Sequence, residues 1–360
     1  MLLKWILRVS SILLIVLLVV IRVNLVKETE QQDILERPIL QTEQFIFNHL
    51  LDEAGMIRTD FKGNPNGNLI LSESMGLWLE YLALKKDNSL FDSAYLALKK
   101  DFISKENLVM WKVEGSVRAD TNALIDDLRI IASLFRKGEQ MNRSDYIKQA
   151  IRLSKSIMKY NRQDDYFVDF YDVRYKYQNK ELTLSYLIPK AFQYMVNYGV
   201  ITVDELDQLR DFLRNMPTDN GFYPKYYSVE DNRFHFDQEI NLIDQLYTVI
   251  HLEGFGISTD SFFKWIKDIY LQENVIYGRY DRLSKQRIVE YEAPAVYALL
   301  VIYSLEKNER AFAKSVYERM TELRSDDPMS TYKGGYVFSN STHSFDNLLA
   351  LVAERKLLNE

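Results

Sequence analysis

The stretch Ser72-Glu73-Ser74-Met75-Gly76-Leu77-Trp78-Leu79-Glu80-Tyr81 decides how the chain is read. Ser72 is a good helix N-cap, and Glu73 opens the helix where a carboxylate suits the dipole. Met75, Leu77 and Trp78 then enter a core, so the carboxylate faces a loop while its neighbours are buried. Outward from this helix, apolar periodicity near 3.6 dominates. It predicts helices over 41–53, 73–86, 90–103, 121–137, 143–160 and 185–197, then over 203–215, 240–253, 259–271, 292–306, 309–323 and 345–357. Thr202 with Glu205 three positions later, and Ser258-Thr259 before Asp260, are further N-cap signals. Helices of this number and length form six hairpins, and six hairpins close into an all-α (α/α)6 toroid with alternate helices inside and outside. A solenoid of the tetratricopeptide type is the competitor. It is disfavoured because no 34-residue repeat is present and the loops differ greatly in length. Tyr166 to Tyr177 (YFVDFYDVRYKY) alternates and reads as a strand or hairpin, whereas Lys225 to His235 is polar and reads as irregular. Long loops gathered at one end of a toroid are where a site forms.

Composition narrows the function. The 360 residues are 47% hydrophobic with a net charge of −6, enough to bury a large core and too acidic for a nucleic-acid partner. Gly 13 and Pro 7 are few, which favours helix. The absence of cysteine excludes disulfide scaffolds, thiol catalysis, cysteine zinc sites and a lipidated cysteine. The four histidines, His49, His235, His251 and His343, are scattered, so no multi-histidine metal centre is expected and no cofactor is called for. A phosphate loop, a dinucleotide fingerprint and a serine nucleophile elbow are all missing.

At the N-terminus, Lys4 and Arg8 precede an apolar run from Val9 to Ile21 broken only by Ser10 and Ser11. This is the pattern of an export signal. Without a small-residue cleavage site after the run, an uncleaved anchor is favoured over a removed signal peptide; a buried N-terminal helix is the bland alternative. The division expected is a signal or membrane anchor over 1–26, a linker over 27–40 and a catalytic domain over 41–360. The positive flank predicts a cytoplasmic N-terminus and an external body, anchored or, after cleavage, secreted.

Three carboxylate positions carry the functional argument. Glu73 is either a dipole-favoured first-turn acid or a general acid against an aromatic wall. The wall raises its pKa and the helix end lowers it. Asp126 and Asp127 are adjacent in an apolar helix, Asn122 to Leu134, and point about 100° apart, so at most one of them faces a given partner. The other is expected on a solvated face or paired with Arg129 or Arg136. Asp244 stands among Ile243, Leu246 and Tyr247, with Asp237 and Glu239 nearby, and a lone acid in an apolar helix needs a partner or a task.

The order of these pieces resembles the family 8 glycoside hydrolases, (α/α)6 enzymes that cleave β-1,4-linked polysaccharides with inversion. Ser72-Glu73-Ser74-Met75-Gly76-Leu77 is similar to the family's S-E-G-M-G-Y signature, which implies Glu73 as the general acid. Asp126-Asp127-Leu128-Arg129-Ile130 resembles its D-x-D-x-D-I-A helix, most closely at Asp127, with Arg129 where an acid often stands. Leu184-Ser185-Tyr186 resembles P-S-Y. Ile243-Asp244-Gln245-Leu246-Tyr247 resembles Y-D-A-x-R, with Tyr247 in place of the arginine. The resemblance implies that Asp244 is the base, Tyr186 holds the water, and Asp127, with Asp126 beside it, bonds the sugar. It implies Trp111 as a sugar platform. Trp78, which core packing explains equally, and Tyr247 are further candidates to contact substrate. Glu292, which also opens an apolar helix, and Asp237 are alternative bases. YEAPAVYALL and the segment from Tyr332 to Leu351 resemble a Gram-positive, exopolysaccharide-associated branch of the family. The expected protein is a monomeric, inverting, endo-acting glycosidase with a polysaccharide partner, held to the membrane by its N-terminal segment. A polysaccharide-binding or biosynthesis accessory protein on the same fold, with catalysis reduced, is the alternative that the departures at Ser74, Arg129 and Tyr247 raise. A helical-toroid lyase or epimerase is a third class.

Overall fold

The computed structural model describes residues 40–359, so the expected anchor over 1–26 and nearly all of the linker lie outside the described residues. Within them the chain forms twelve α-helices in the predicted order. Six are inner: α2 (Ser72–Lys85), α4 (Leu124–Met141), α6 (Pro189–Asn197), α8 (Leu242–Gly254), α10 (Pro294–Glu306) and α12 (Ser344–Asn359). Each packs on the next in that order and α12 returns to α2, which closes the ring. The outer helices are α1 (Gln41–His49), α3 (Asn88–Asp101), α5 (Ser144–Tyr160), α7 (Val203–Arg214), α9 (Asp260–Glu273) and α11 (Arg310–Glu322).

Burial follows the residue pattern. α10 is apolar but for Ser304 and its last residue, Glu306, and every residue from Pro294 to Leu305 is buried, as suits a helix in the inner ring. α5 buries a single stripe, Tyr146, Ala150, Leu153 and Ile157, spaced for one helical face. Among the described residues, no helix is long and apolar enough to cross a membrane.

The two ends of the toroid differ. Inner helices pass to outer ones through tight turns: Lys86, Asn142 and Asn308 take left-handed φ values of 62°, 53° and 57°, the conformation that stops a helix and reverses the chain. Outer helices return to inner ones through long segments that carry the short β strands. Those used below are β1 (Leu69–Leu71), β2 (Lys112–Glu114), β3 (Val117–Arg118), β4 (Arg162–Gln163), β5 (Tyr166–Phe167), β6 (Tyr171–Asp172), β7 (Tyr177–Gln178), β8 (Glu181–Thr183), β9 (Tyr226–Ser228) and β10 (Arg233–His235). β1, β2 and β3 form one antiparallel sheet, and β8, β9 and β10 another. All six inner helices therefore begin at the end that carries the long loops.

Local departures have physical causes. Tyr166 to Tyr177 supplies β5, which pairs back onto β4, and both strands of the β6–β7 hairpin. Lys225 to His235, expected to be irregular, is instead the β9–β10 hairpin, with the rings of Tyr226 and His235 stacked 4.7 Å apart. The helix expected over 185–197 is split into a single 3-10 turn, Leu184–Tyr186, and α6. Pro189 has no N–H to donate and forces Ile188 out of the helical region, to φ −78° and ψ 108°. Ser72 does not cap α2: Leu71 occupies the cap position, and the Ser72 hydroxyl points elsewhere. Thr202 and Glu205 do form the expected capping box.

Candidate active site

The first turns of the inner helices carry the carboxylates. Glu73 is the second residue of α2, and Asp126, Asp244 and Asp346 are each the third residue of α4, α8 and α12. Glu73 and Asp126 line a cleft of about 410 Å3 together with Trp111, Asn122, Phe170 and Tyr186. The sheet sets this geometry. Leu71 on β1 pairs with Lys112 on β2, and the Trp111 carbonyl accepts from the backbone N–H of Ser72 at 2.9 Å. That clamp places the indole, 39% exposed, beside the start of α2.

Electrostatics separate the carboxyl groups. Burial pushes the Glu73 carboxyl up to about 7, the charges of Asp126 and Asp346 add to the rise, and Arg129 opposes it. Desolvation, reinforced by the neighbouring acids, thus outweighs the pull of Arg129. Asp126 is also raised by burial, against Arg129 and the Ser72 hydroxyl. Two carboxyls on adjacent first turns disfavour double ionisation. Asp244 is raised by burial, with Lys225 and Arg279 pulling it down and Asp237 pushing it up. Asp237 itself pairs with Lys225 at 3.1 Å.

Tyr186 stands among these groups. Burial, then Asp169, Asp126, Asp244 and Glu73, raise its phenol far above the ordinary range, so it remains a neutral donor. The charges of Glu73 and Asp244 thus both bear on this phenol, although Asp244 is not among the residues that line the cleft. Asp169 fixes that hydroxyl's segment. Its two oxygens accept the Thr183 N–H and hydroxyl, each at 2.6 Å, tying down the end of β8 just before Tyr186. Burial raises Asp169 to about 7 despite those bonds.

Several expected residues stand elsewhere. Asp127, read as the sugar-binding acid, is fully buried; its oxygens accept from Val109 N at 2.9 Å and Asn122 Nδ2 at 2.8 Å. Its neighbour Asp126 takes the cleft position, since one helical step turns the side chain about 100°. Trp78 is 1% exposed and stacks on Tyr81 at 5.5 Å, so it is core and no sugar platform. Glu292, the alternative base, is held by Arg319 at 2.6 and 3.0 Å and by the Tyr297 hydroxyl, which leaves it no free role. Tyr247 is buried against Arg129 and, with Glu80 and His251, lines a separate pocket rather than the Glu73 cleft. Asp169 and Asp346 were not singled out from sequence. Asp346 repeats the third-position placement of Asp126 and Asp244, and that recurrence is the signal that finds it. Among the described residues, no cluster of three acidic or imidazole groups could hold a metal ion.

No family model matches the chain. Over 324 residues it is 40% identical to the Bacillus subtilis (strain 168) protein named "Putative lipoprotein YdaJ", spanning 90% of this chain and 88% of that one. A solved structure described as a novel alpha-amylase from Clostridium perfringens superposes with a TM-score of 0.82 at 22% identity, covering 88% of this chain and 96% of that one. PssZ from Listeria monocytogenes gives 0.73 at 25% identity, over 87% and 94%. Endoglucanase Cel10 from Klebsiella pneumoniae, described as a family 8 glycosyl hydrolase, gives 0.60 at 16% identity, over 89% and 99%. The chain belongs to the family of the Bacillus subtilis protein and is built on the (α/α)6 toroid of the family 8 glycoside hydrolases.

Proposed function

We propose that the chain hydrolyses a polysaccharide by an inverting mechanism, with Glu73 as general acid and Asp244 as general base. The observation that carries this reading is the cleft that brings Glu73, its carboxyl raised to about 7, together with Asp126, Trp111 and Tyr186, while the charge of Asp244 also bears on the Tyr186 phenol. An inverting glycosidase needs one protonated and one ionised carboxyl roughly 6.5–9.5 Å apart, with room for a water between them. Glu73 gives its proton to the glycosidic oxygen as the bond from the anomeric carbon to that oxygen breaks. Water attacks the anomeric carbon from the opposite face, and Asp244 takes the proton that the water loses. Solvent then returns Glu73 to its protonated form and Asp244 to its ionised form. Tyr186 positions the water, Asp126 bonds the sugar at the cleavage point, and Trp111 stacks on a pyranose face.

Reducing-end release from a panel of polysaccharides tests this reading, using residues 28–360 with the Glu73→Gln and Asp244→Asn variants. The panel spans β-1,4-glycans and α-1,4-glucans, because the toroid is shared by proteins described as endoglucanases and by one described as an alpha-amylase. Activity in the parent that falls by several orders of magnitude in both variants supports the assignment. Loss in Glu73→Gln alone moves the base to Asp237. Binding of a polysaccharide without cleavage by the parent replaces the assignment with the accessory-protein reading.

We further propose an extracytoplasmic location. The Bacillus relative is named a lipoprotein, but this chain has no cysteine to lipidate, so attachment falls to the apolar segment within residues 1–26. Partition of the full chain, but not of residues 28–360, into the detergent phase is the expected result; an equal distribution of the two would overturn it.

A further inference from the structure

The two inner-helix positions that depart most in charge from the family 8 pattern are Arg129, in place of an acid, and Tyr247, in place of an arginine. In the structure they touch. Arg129 Nη2 donates to the Tyr247 hydroxyl at 3.2 Å, and the guanidinium lies 5.6 Å from the ring centroid. Arg129 is 4% exposed and reaches two acids, Asp126 with Nη1 at 3.6 Å and Glu80 with Nε at 4.0 Å. Gly76 leaves room for the passage: a Cβ there would crowd Arg129 Cδ at 3.3 Å. One guanidinium therefore joins α2, α4 and α8 directly beneath the cleft. Neither Arg129 Nη1 nor Asp126 Oδ1 has a hydrogen-bond partner, and the two face one another.

We propose that Arg129, seated by Tyr247, is a positioning residue that holds Asp126 beside Glu73 at the cleft floor, supplying from α4 the guanidinium that the family pattern places on α8. This deepens, and rests on, the glycosidase reading above. The two departures are then one compensated exchange rather than two losses.

The surrounding charges support a measurable consequence. Glu73 is faced by Asp126 and Arg129 from α4, by Asp346 from α12 and by Tyr247 from α8, with Tyr186 across the cleft and Glu80 on its own helix. His251, next to Arg129, is driven by burial and by that cation down to about 3 and stays neutral. Among the described residues, Arg129 is the cation whose charge acts on Glu73. Its removal makes both Glu73 and Asp126 harder to ionise, so the alkaline limb of the rate profile moves upward.

The test measures kcat against pH for Arg129→Gln, Arg129→Lys and the pair Arg129→Asp with Tyr247→Arg, alone and together. Arg129→Gln is expected to lose roughly 10–100-fold in kcat and to shift the alkaline limb up by about one pH unit. Arg129→Lys keeps the limb in place. Each member of the pair is impaired alone, and the double variant recovers toward the parent with its limb restored. A parental profile in folded Arg129→Gln, or a double variant no better than its singles, overturns the proposal. Where Arg129→Gln does not fold, Arg129→Lys and the double variant decide. An inactive parent overturns the glycosidase reading itself, a distinct outcome.

Discussion

The Ser72 hydroxyl donates to Asp126 Oδ2 at 2.5 Å, joining the first turn of α2 to the first turn of α4 directly behind Glu73. A serine expected to cap its own helix is spent instead on the neighbouring helix's acid. Its hydroxyl also lies 3.2 Å from the Trp111 carbonyl, so one side chain brings together α2, the Asp126 carboxylate and the loop that carries Trp111.

Ser72→Ala leaves Asp126, 5% exposed, without its hydroxyl donor. An unpaired buried acceptor costs about 1–3 kcal/mol. Loss of a bond to the ionised form also raises the Asp126 pKa further. The expected result is a drop in kcat of roughly tenfold with modest loss of thermal stability. Unchanged kcat with a lowered melting temperature would restrict the bond to a structural role.

The rate profile should be bell-shaped. Glu73 must be protonated, so activity falls as pH rises through about 7. Asp244 must be ionised, and burial raises it, so the acidic limb lies above the ordinary aspartate value. Stability carries the same sign for Glu73. A carboxyl raised in the folded state favours folding fully below its unfolded pKa, and that contribution is lost as pH rises through about 7. Asp169 and Asp127, raised to about 7 and about 8, act in the same direction. The comparison is therefore parent against Glu73→Gln: the melting temperature of the parent should fall more steeply between about pH 5 and pH 8.

Adjacent acids separate position from chemistry. Asp126→Asn should lower kcat while the fold persists, because its side chain borders the cleft. Asp127→Asn should do the reverse. Its oxygens accept two buried donors, and an amide offers an N–H to one of them, at a cost of about 1–3 kcal/mol. Steady-state rates and thermal unfolding on the two variants distinguish the roles; a rate effect in folded Asp127→Asn would restore that residue to the site.

This pair also marks how far the sequence could be read. Helix period and the scarcity of Gly and Pro are one-dimensional properties, and they located the twelve helices and the ring they form. Glu73 stood out as an acid that opens an apolar helix, and Asp244 as a lone acid within one. Which of Asp126 and Asp127 turns to the cleft depends on the helix's rotation, which Asn122 and Val109 fix from other loops. Tyr166 to Tyr177 alternates and could be read as strand, whereas Lys225 to His235 is too polar to show a period of two, so the β9–β10 hairpin was invisible. The contact between Arg129 and Tyr247 spans α4 and α8, and no local pattern encodes it. Asp346, by contrast, was there to be found once first-turn acids were compared across helices.

The two tryptophans near Glu73 offer the last test, since sequence gave both a possible place at the sugar. Trp111 is 39% exposed and lines the cleft, with Lys112 Nζ 5.2 Å from its ring. Truncation there removes a stacking surface and little packing. A ring contact is worth about 0.5–1.5 kcal/mol beyond its area, so Trp111→Ala should raise KM roughly threefold to tenfold and leave the melting temperature nearly unchanged. Trp78 is enclosed between Tyr81 and Phe47, at 5.5 and 5.8 Å between centroids. Trp78→Ala opens a cavity in the inner ring and should cost about 3–5 kcal/mol. Activity per folded molecule should then change little. KM measurements paired with denaturant unfolding on both variants give the answer, and a KM effect confined to Trp78→Ala would mean the sugar path enters the toroid from a different side.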